Sequence, residues 1–259
     1  MDGNQIPDLD DIGNIFFQDG YRMASEYLAE GISKSRLVSL MTAAYTAVDG
    51  LIDSFRNRCL LEGLEIGCQK GCSWCCHQAV LVSIQEVLLI SQYLNEDMPD
   101  KLQSMIRTNA SAKAVITGNM SVQEFLLCLH PCPFLDNGSC LIYRVRPMAC
   151  RCYLSSDADS CHAQYQQPGN RQIIAALYDF PLLAGRSINE GIRAVLLQSN
   201  IITYEWLLEV LITKTFETPS IFNEWLSGED PYSIRELTAE ENIYLREYRN
   251  RKESSEEGG

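Results

Sequence analysis

Residues 68–77 read CQKGCSWCCH, which places four cysteines and a histidine in ten consecutive positions. The chain carries eleven cysteines, Cys59, Cys68, Cys72, Cys75, Cys76, Cys128, Cys132, Cys140, Cys150, Cys152 and Cys161, and none lies in the first 58 or the last 98 residues. Cysteine serving merely as a small buried hydrophobe would scatter through every helix. Confinement to the middle of the chain requires another explanation: a disulfide knot, a redox centre or a metal trap.

Compartment separates these. The N-terminal MDGNQIPDLDD lacks a basic segment followed by an apolar run, so no signal peptide is expected. No segment approaches the roughly 18 uninterrupted apolar residues that span a bilayer. The expectation is a cytoplasmic protein away from the membrane. There, reducing conditions disfavour structural disulfides and favour metal-binding or catalytic thiols. A formal charge of −13 argues against nucleic acid and anionic lipid as partners, since both need a positive surface.

The spacing of the first run brings its thiols together. On a helix at about 100° per residue, Cys68, Cys72, Cys75 and Cys76 share one face. If Gly71 breaks that helix, a folded-back loop still brings Cys68 and Cys72 to the same centre. Converging thiolates repel unless a cation neutralises them. In the second group, CLHPCPFLDNGSCLIYRVRPMACRCY (residues 128–153), the turn-formers Pro133, "DNG" and Pro147 separate Cys132, Cys140 and Cys150, as a small knot requires. Arg144, Arg146 and Arg151 cluster there, either to offset thiolate charge or to form ordinary salt bridges. His77, His130 and His162 each lie within two residues of a cysteine, a position that suits a packed neighbour more often than a ligand.

The remainder reads as mainly α: a helical domain around an irregular cysteine-rich knot, with at most short β segments. Residues 1–14 are expected to be a disordered leader and 253–259 a disordered acidic tail. Between them, residues 15–252 form a single domain whose cysteine-cluster centre spans about 60–165. From Ser35 to Arg58, apolar residues from Leu37 to Phe55 recur at three- and four-residue spacing, as one core-facing helix stripe. SIQE (83–86), SINE (187–190) and TAEE (238–241) fit helix starts. Helical patterning returns over 201–215, and AVLVS and CLIYRV have strand-like composition.

The two motifs C-x3-C-x2-C-C and C-P-F-L…C-x-I-Y…R-P…C-R, in this order, resemble the YkgJ-like cysteine-cluster family, described as a zinc- or iron-chelating domain. The resemblance covers residues 60–165 well, and GRSINEG (185–191) is similar to members with a longer helical C-terminal part. It implies metal ligation by Cys68, Cys72, Cys75, Cys76, Cys132, Cys140 and Cys150, with Cys161 matching a further cysteine of closer relatives. Cys152 departs from the pattern and reads as an extra thiol, while Cys59 and Cys128 read as small hydrophobes.

So many thiolates exceed the four that a tetrahedral zinc takes. One metal using four, two zinc ions sharing the set through a bridging sulfur, and one iron–sulfur cluster are all compatible. Zinc is preferred over iron, because tetrathiolate zinc tolerates irregular spacing and the run lacks the ferredoxin pattern. Three functions follow. The first is a non-catalytic metal-binding protein that holds zinc or iron. The second is an iron–sulfur or thiol-dependent enzyme of redox or protein-modifying type, by similarity to bacterial flagellin lysine methylases. The third is a zinc-stabilised module that docks a protein partner. The absence of a G-x-G-x-x-G turn and of a G-x-S-x-G elbow weakens the second.

Overall fold

A computed structural model describes residues 9–170 and 172–253. Its helices, in chain order, are α1 (Leu9–Leu28), α2 (Lys34–Glu62), α3 (Ile84–Asp97), α4 (Asp100–Thr117), α5 (Val122–Leu127), α6 (Met148–Arg151), α7 (Ala158–Gln166), α8 (Asp179–Gln198), α9 (Leu208–Glu217), α10 (Ile221–Leu226) and α11 (Ala239–Glu253). Four short strands, β1 (Leu81–Ser83), β2 (Leu135–Asp136), β3 (Ser139–Cys140) and β4 (Glu205–Leu207), form two antiparallel pairs, β1 with β4 and β2 with β3. The mainly α reading with short β segments holds.

The apolar stripe of α2 buries Leu37, Leu40, Met41, Ala44, Tyr45, Val48 and Ile52. Burial of each large aliphatic side chain stabilises by about 1.5–3 kcal/mol before the entropy of ordering is counted. Helix α1 lies along α8 with main chains in direct contact. A Cβ at Gly20 would sit 2.1 Å from the Ile188 carbonyl, and one at Gly191 would sit 2.2 Å from that of Phe17. No other residue fits at either place. The buried side chains of α2, α3, α8, α9 and the β1–β4 pair form one continuous core, with a small satellite of Cys161, Ala175 and Leu177 beside it.

Two of the three sequence-predicted helix starts are present. Glu86 caps α3 by accepting from the Ser83 N–H at 2.9 Å and its hydroxyl at 2.8 Å. At α11, Glu241 accepts from the Thr238 N–H at 3.0 Å and donates its own N–H to the Thr238 hydroxyl at 3.1 Å. SINE starts nothing: it lies inside α8, which begins at Asp179 with Pro181 in its first turn, a place where proline costs no hydrogen bond. Within that motif Asn189 is buried and donates to Glu205 at 3.3 Å, and Glu190 accepts from Arg193 rather than reaching back to a cap. The helical expectation for 201–215 also changes. Residues 205–207 pair as β4 with β1, Leu207 opposite Leu81, and the helix begins only at Leu208. Helix α1 covers residues 9–14, which were assigned to the leader, because its apolar face meets α8. Residues 1–8 of that leader, and 254–259 of the expected tail, lie outside the described residues. Among the described residues, no helix is long and apolar enough to cross a membrane.

Candidate metal centre

The thiols collect where a 3-10 turn, a hairpin and two short helices meet beside α3. Gly71 takes a positive φ of 89°, so the first run does not continue as one helix. The chain turns there, with the Cys72 N–H on the Gln69 carbonyl at 3.0 Å, and re-forms as a 3-10 turn over Trp74–His77. Of the two geometries open to the sequence, the glycine-broken one is adopted. The run is then stitched to the second motif. Cys132 N–H donates to the Cys76 carbonyl at 2.8 Å, and His130 N–H to the His77 carbonyl at 2.9 Å.

Cys140 is placed by a hairpin. Asn137 and Gly138, the NG of "DNG", both adopt positive φ, 47° and 75°, and close a two-residue turn that sets Cys140 opposite Leu135. Cys150 lies on α6. That helix is anchored by buried Glu86, which accepts from the Met148 N–H at 2.6 Å while also holding the Tyr45 hydroxyl at 2.9 Å. Cys161 lies on α7, whose first turn is capped by Asp157. Cys68 approaches from the other side, because Gly67 packs on the 157–158 backbone so tightly that a Cβ would lie 2.5 Å from the Ala158 nitrogen.

Peptide N–H groups point at the sulfurs. Ser155 N–H donates to the Cys68 sulfur at 3.2 Å, the Phe134 amide to that of Cys132, and the Ile142 amide to that of Cys140. The hydroxyl of buried Ser155 donates to the Asp157 and Ala176 carbonyls, both at 2.7 Å, and so fixes the loop that carries its N–H. Donors fixed in this way favour a thiolate and orient it. Burial acts in the opposite direction: it pushes the Cys132 thiol up to about 12, and that of Cys150 well above the ordinary value. Half-buried thiols of this kind ionise readily only when a cation replaces the proton.

The sulfurs also sort by neighbourhood. Cys68 is an electrostatic neighbour of Cys75, Cys161 and Cys72, and Cys161 of Cys75 and Cys72. Cys150 neighbours Cys132, Cys75 and Cys140; Cys132 neighbours Cys140, and Cys140 neighbours Cys75. Cys75 thus acts electrostatically on thiols of both motifs. Cys76, beside Cys75 in the 3-10 turn, also accepts the Cys132 N–H at its carbonyl. No disulfide joins any of the eleven cysteines. As the side chains stand, no three acidic, histidine or cysteine groups among the described residues close on a point that could hold an ion. Thiolate sulfur is the donor a soft metal prefers.

The other three cysteines, Cys59, Cys128 and Cys152, lie as follows. Cys59 is 1% exposed on the core side of α2. Cys152, 2% exposed, packs against α8, where a Cβ at Gly185 would lie 2.0 Å from its sulfur. Cys128 is half-buried at the C-terminal end of α5. The histidines divide too. His162 stacks on Trp74 with ring centroids 4.3 Å apart, and His77 meets Tyr165 edge-on at 5.0 Å, an aromatic cover between α7 and the 3-10 turn. His130 keeps its Nδ1 buried without a hydrogen-bond partner.

Of the three arginines, Arg146 is felt by the Cys140 thiol and lies 3.5 Å from Asp49, while Arg144 is exposed. Arg151 is wholly buried over the Tyr45 ring and also pairs with Asp49. The R-P and C-R pairs of the second motif thus fasten the knot to α2. Sequence reasoning passed over Lys113, Ser155 and the role of Glu86 at the cluster. Buried Lys113 pairs with Glu209 at 3.7 Å, donates to the His130 carbonyl at 3.2 Å and acts on Cys132. Only Glu86 left a signal, as the last residue of SIQE.

A helical shell around reduced, cation-seeking thiols defines a metal-binding class of domain. In agreement, residues 67–170 match the family model CxxCxxCC, whose description is "Putative zinc- or iron-chelating domain". No curated protein and no solved structure matches the chain.

Proposed function

We propose that the protein holds zinc through Cys68, Cys72, Cys75, Cys76, Cys132, Cys140, Cys150 and Cys161, and that the ion organises the irregular centre of the fold. The supporting observation is the electrostatic action of Cys75 on reduced thiols of both motifs, with main-chain N–H groups directed at the sulfurs. Cys76, the eighth sequence candidate, belongs to the proposed set as the neighbour of Cys75 in the 3-10 turn. Zinc is favoured over iron because thiolate zinc accepts irregular ligand spacing. The reading is a non-catalytic one, in the cytoplasm.

The test is anaerobic purification followed by metal analysis and an optical spectrum. A colourless protein containing zinc, whose helical signal falls in chelator, is expected. A brown protein containing iron and acid-labile sulfide would replace zinc with a cluster. Cys72→Ser and Cys140→Ser should each lower metal content, and Cys59→Ser should leave it unchanged. Equal metal content in all three would defeat the ligand assignment.

A further inference from the structure

We infer that the cleft between α2, α3 and the second 3-10 turn, Tyr143–Val145, binds a small zwitterion with an apolar stem, its carboxylate on Arg144 and its ammonium on Glu96 and Asp97. The inference stands apart from the metal-binding reading, since none of these side chains is a candidate metal ligand. The cleft has a volume of about 490 Å3, within the roughly 300–1,000 Å3 of small-molecule sites. Val38, Leu89 and the rings of Tyr45 and Tyr93 supply its apolar lining, against which the stem of a ligand would pack.

Much of the charge in the cleft is already met from within the protein. Asp49 pairs with Arg151 and, at 3.5 Å, with Arg146. Arg146 lies over the Tyr143 ring, 4.0 Å from its centroid, and donates to the Tyr143 carbonyl at 2.8 Å. Arg144, Glu96 and Asp97 remain. Among the described residues, Arg144 has no ion pair and no side-chain hydrogen bond, although both carboxylates line the same cleft, and Asp97 has none either. Opposite charges thus face one cavity at a separation beyond the roughly 4 Å that an ion pair spans. A ligand carrying both charges joins them.

Helix polarity points the same way. Glu96 and Asp97 occupy the last turn of α3, which carries no basic residue. The C-terminal end of a helix bears partial negative charge, so two carboxylates there are unfavourable until a cation comes to them. An ammonium group meets that need. Across the cleft, the chain that carries Arg144 is held in place. The buried Arg151 guanidinium donates to the Arg144 carbonyl at 2.9 Å, and the Val145 N–H to the Ile142 carbonyl at 2.9 Å. A guanidinium on a fixed turn offers a carboxylate two parallel N–H donors. A cation alone would leave Arg144 unpaired, and an anion alone would meet two carboxylates.

The test is isothermal titration calorimetry on the full chain as purified, at neutral pH. The probes are ω-amino acids of increasing chain length, whose best length reads the separation of the charges, and α-amino acids with aliphatic or aromatic side chains. For the tightest of them, the amine lacking the carboxylate and the acid lacking the amine are titrated too. Saturable binding of at least one zwitterion is expected, with affinity falling about tenfold or more on loss of either charge. Arg144→Ala should weaken the zwitterion to the affinity of the amine and leave the amine unchanged. Glu96→Gln combined with Asp97→Asn should weaken the zwitterion and the amine and leave the acid no weaker. All three side chains are exposed, so both variants should keep the native circular dichroism and metal content. The assignment is overturned if no probe binds, if a singly charged analogue binds as tightly as its zwitterion, or if either variant binds the zwitterion unchanged. None of these outcomes bears on the metal centre.

Discussion

Gly185→Ala separates packing from helix propensity in a way that bears on the metal centre. Glycine inside a helix ordinarily costs about 0.5–1 kcal/mol relative to alanine, so propensity alone makes the change stabilising. Gly185 lies inside α8, however, and its new Cβ would sit 2.0 Å from the Cys152 sulfur and 3.2 Å from Met148. Ordinary contact is well beyond the first distance, and Cys152 is only 2% exposed, with no open side to turn into. Overpacking of this kind costs about 1–3 kcal/mol, and more when backbone must shift, so it outweighs the propensity gain. Net destabilisation should be about 1–2 kcal/mol. Cys152→Ala alone should cost about 1–2 kcal/mol through the cavity it leaves. Together the two changes should cost less than their sum, with a favourable coupling of about 1–3 kcal/mol. Urea unfolding at constant m-value measures all three. A stabilised Gly185→Ala, or additive effects, would refute the placement of Cys152 against α8. The Cys152→Ala protein should also keep its full metal content, since that sulfur faces the core.

Three further outcomes follow from the same geometry. Glu86→Ala strands four hydrogen-bond donors, on Tyr45, Ser83 and Met148, and should cost about 3–5 kcal/mol with a fall in metal content, because Cys150 loses its anchor. Glu86→Gln should recover part of both, and a cost under about 1 kcal/mol would mean the network is absent. The hydrogen bonds of Arg235 hold the Glu241 carboxyl down at about 2 against an ordinary 4.5, so this group stabilises the fold above pH 4.5 and loses that contribution as pH falls toward 2. The stability gap between the native protein and Glu241→Gln should therefore be constant at neutral pH and shrink between those values; a gap independent of pH would contradict the pairing. Gly67→Ala forces a Cβ into main chain at Asp157 and Ala158, which cannot rotate away, and should lower both stability and metal content by displacing Ser155 from Cys68. Unchanged metal binding there would show that the loop does not position the thiol.

How much of this was legible in the sequence depends on whether the signal was local. The stripe of α2 and the Ser83–Glu86 and Thr238–Glu241 caps were readable, because spacing and capping chemistry act within a few residues. So was the NG turn that places Cys140. SINE misled because Glu190 bonds Arg193, a partner outside the motif on the same helix, instead of closing a cap. The start of α9 shifted for the same reason: β4 exists only because β1 lies beside it. At the cluster, the cysteines themselves were conspicuous, but their division into two neighbourhoods was not. Cys75 and Cys76 lie in a 3-10 turn that the glycine-broken run gave no local sign of. Ser155 and Lys113 left no mark at all, since each matters through residues distant along the chain.

The central claim is that sulfur from both cysteine motifs closes around metal. X-ray absorption at the edge of the metal that co-purifies with the full chain tests it most directly. For zinc, a first shell of sulfur alone at about 2.3 Å is predicted, with the sulfur number falling in both Cys72→Ser and Cys140→Ser. A shell of nitrogen and oxygen, or a sulfur shell that survives loss of Cys140 intact, would contradict the account.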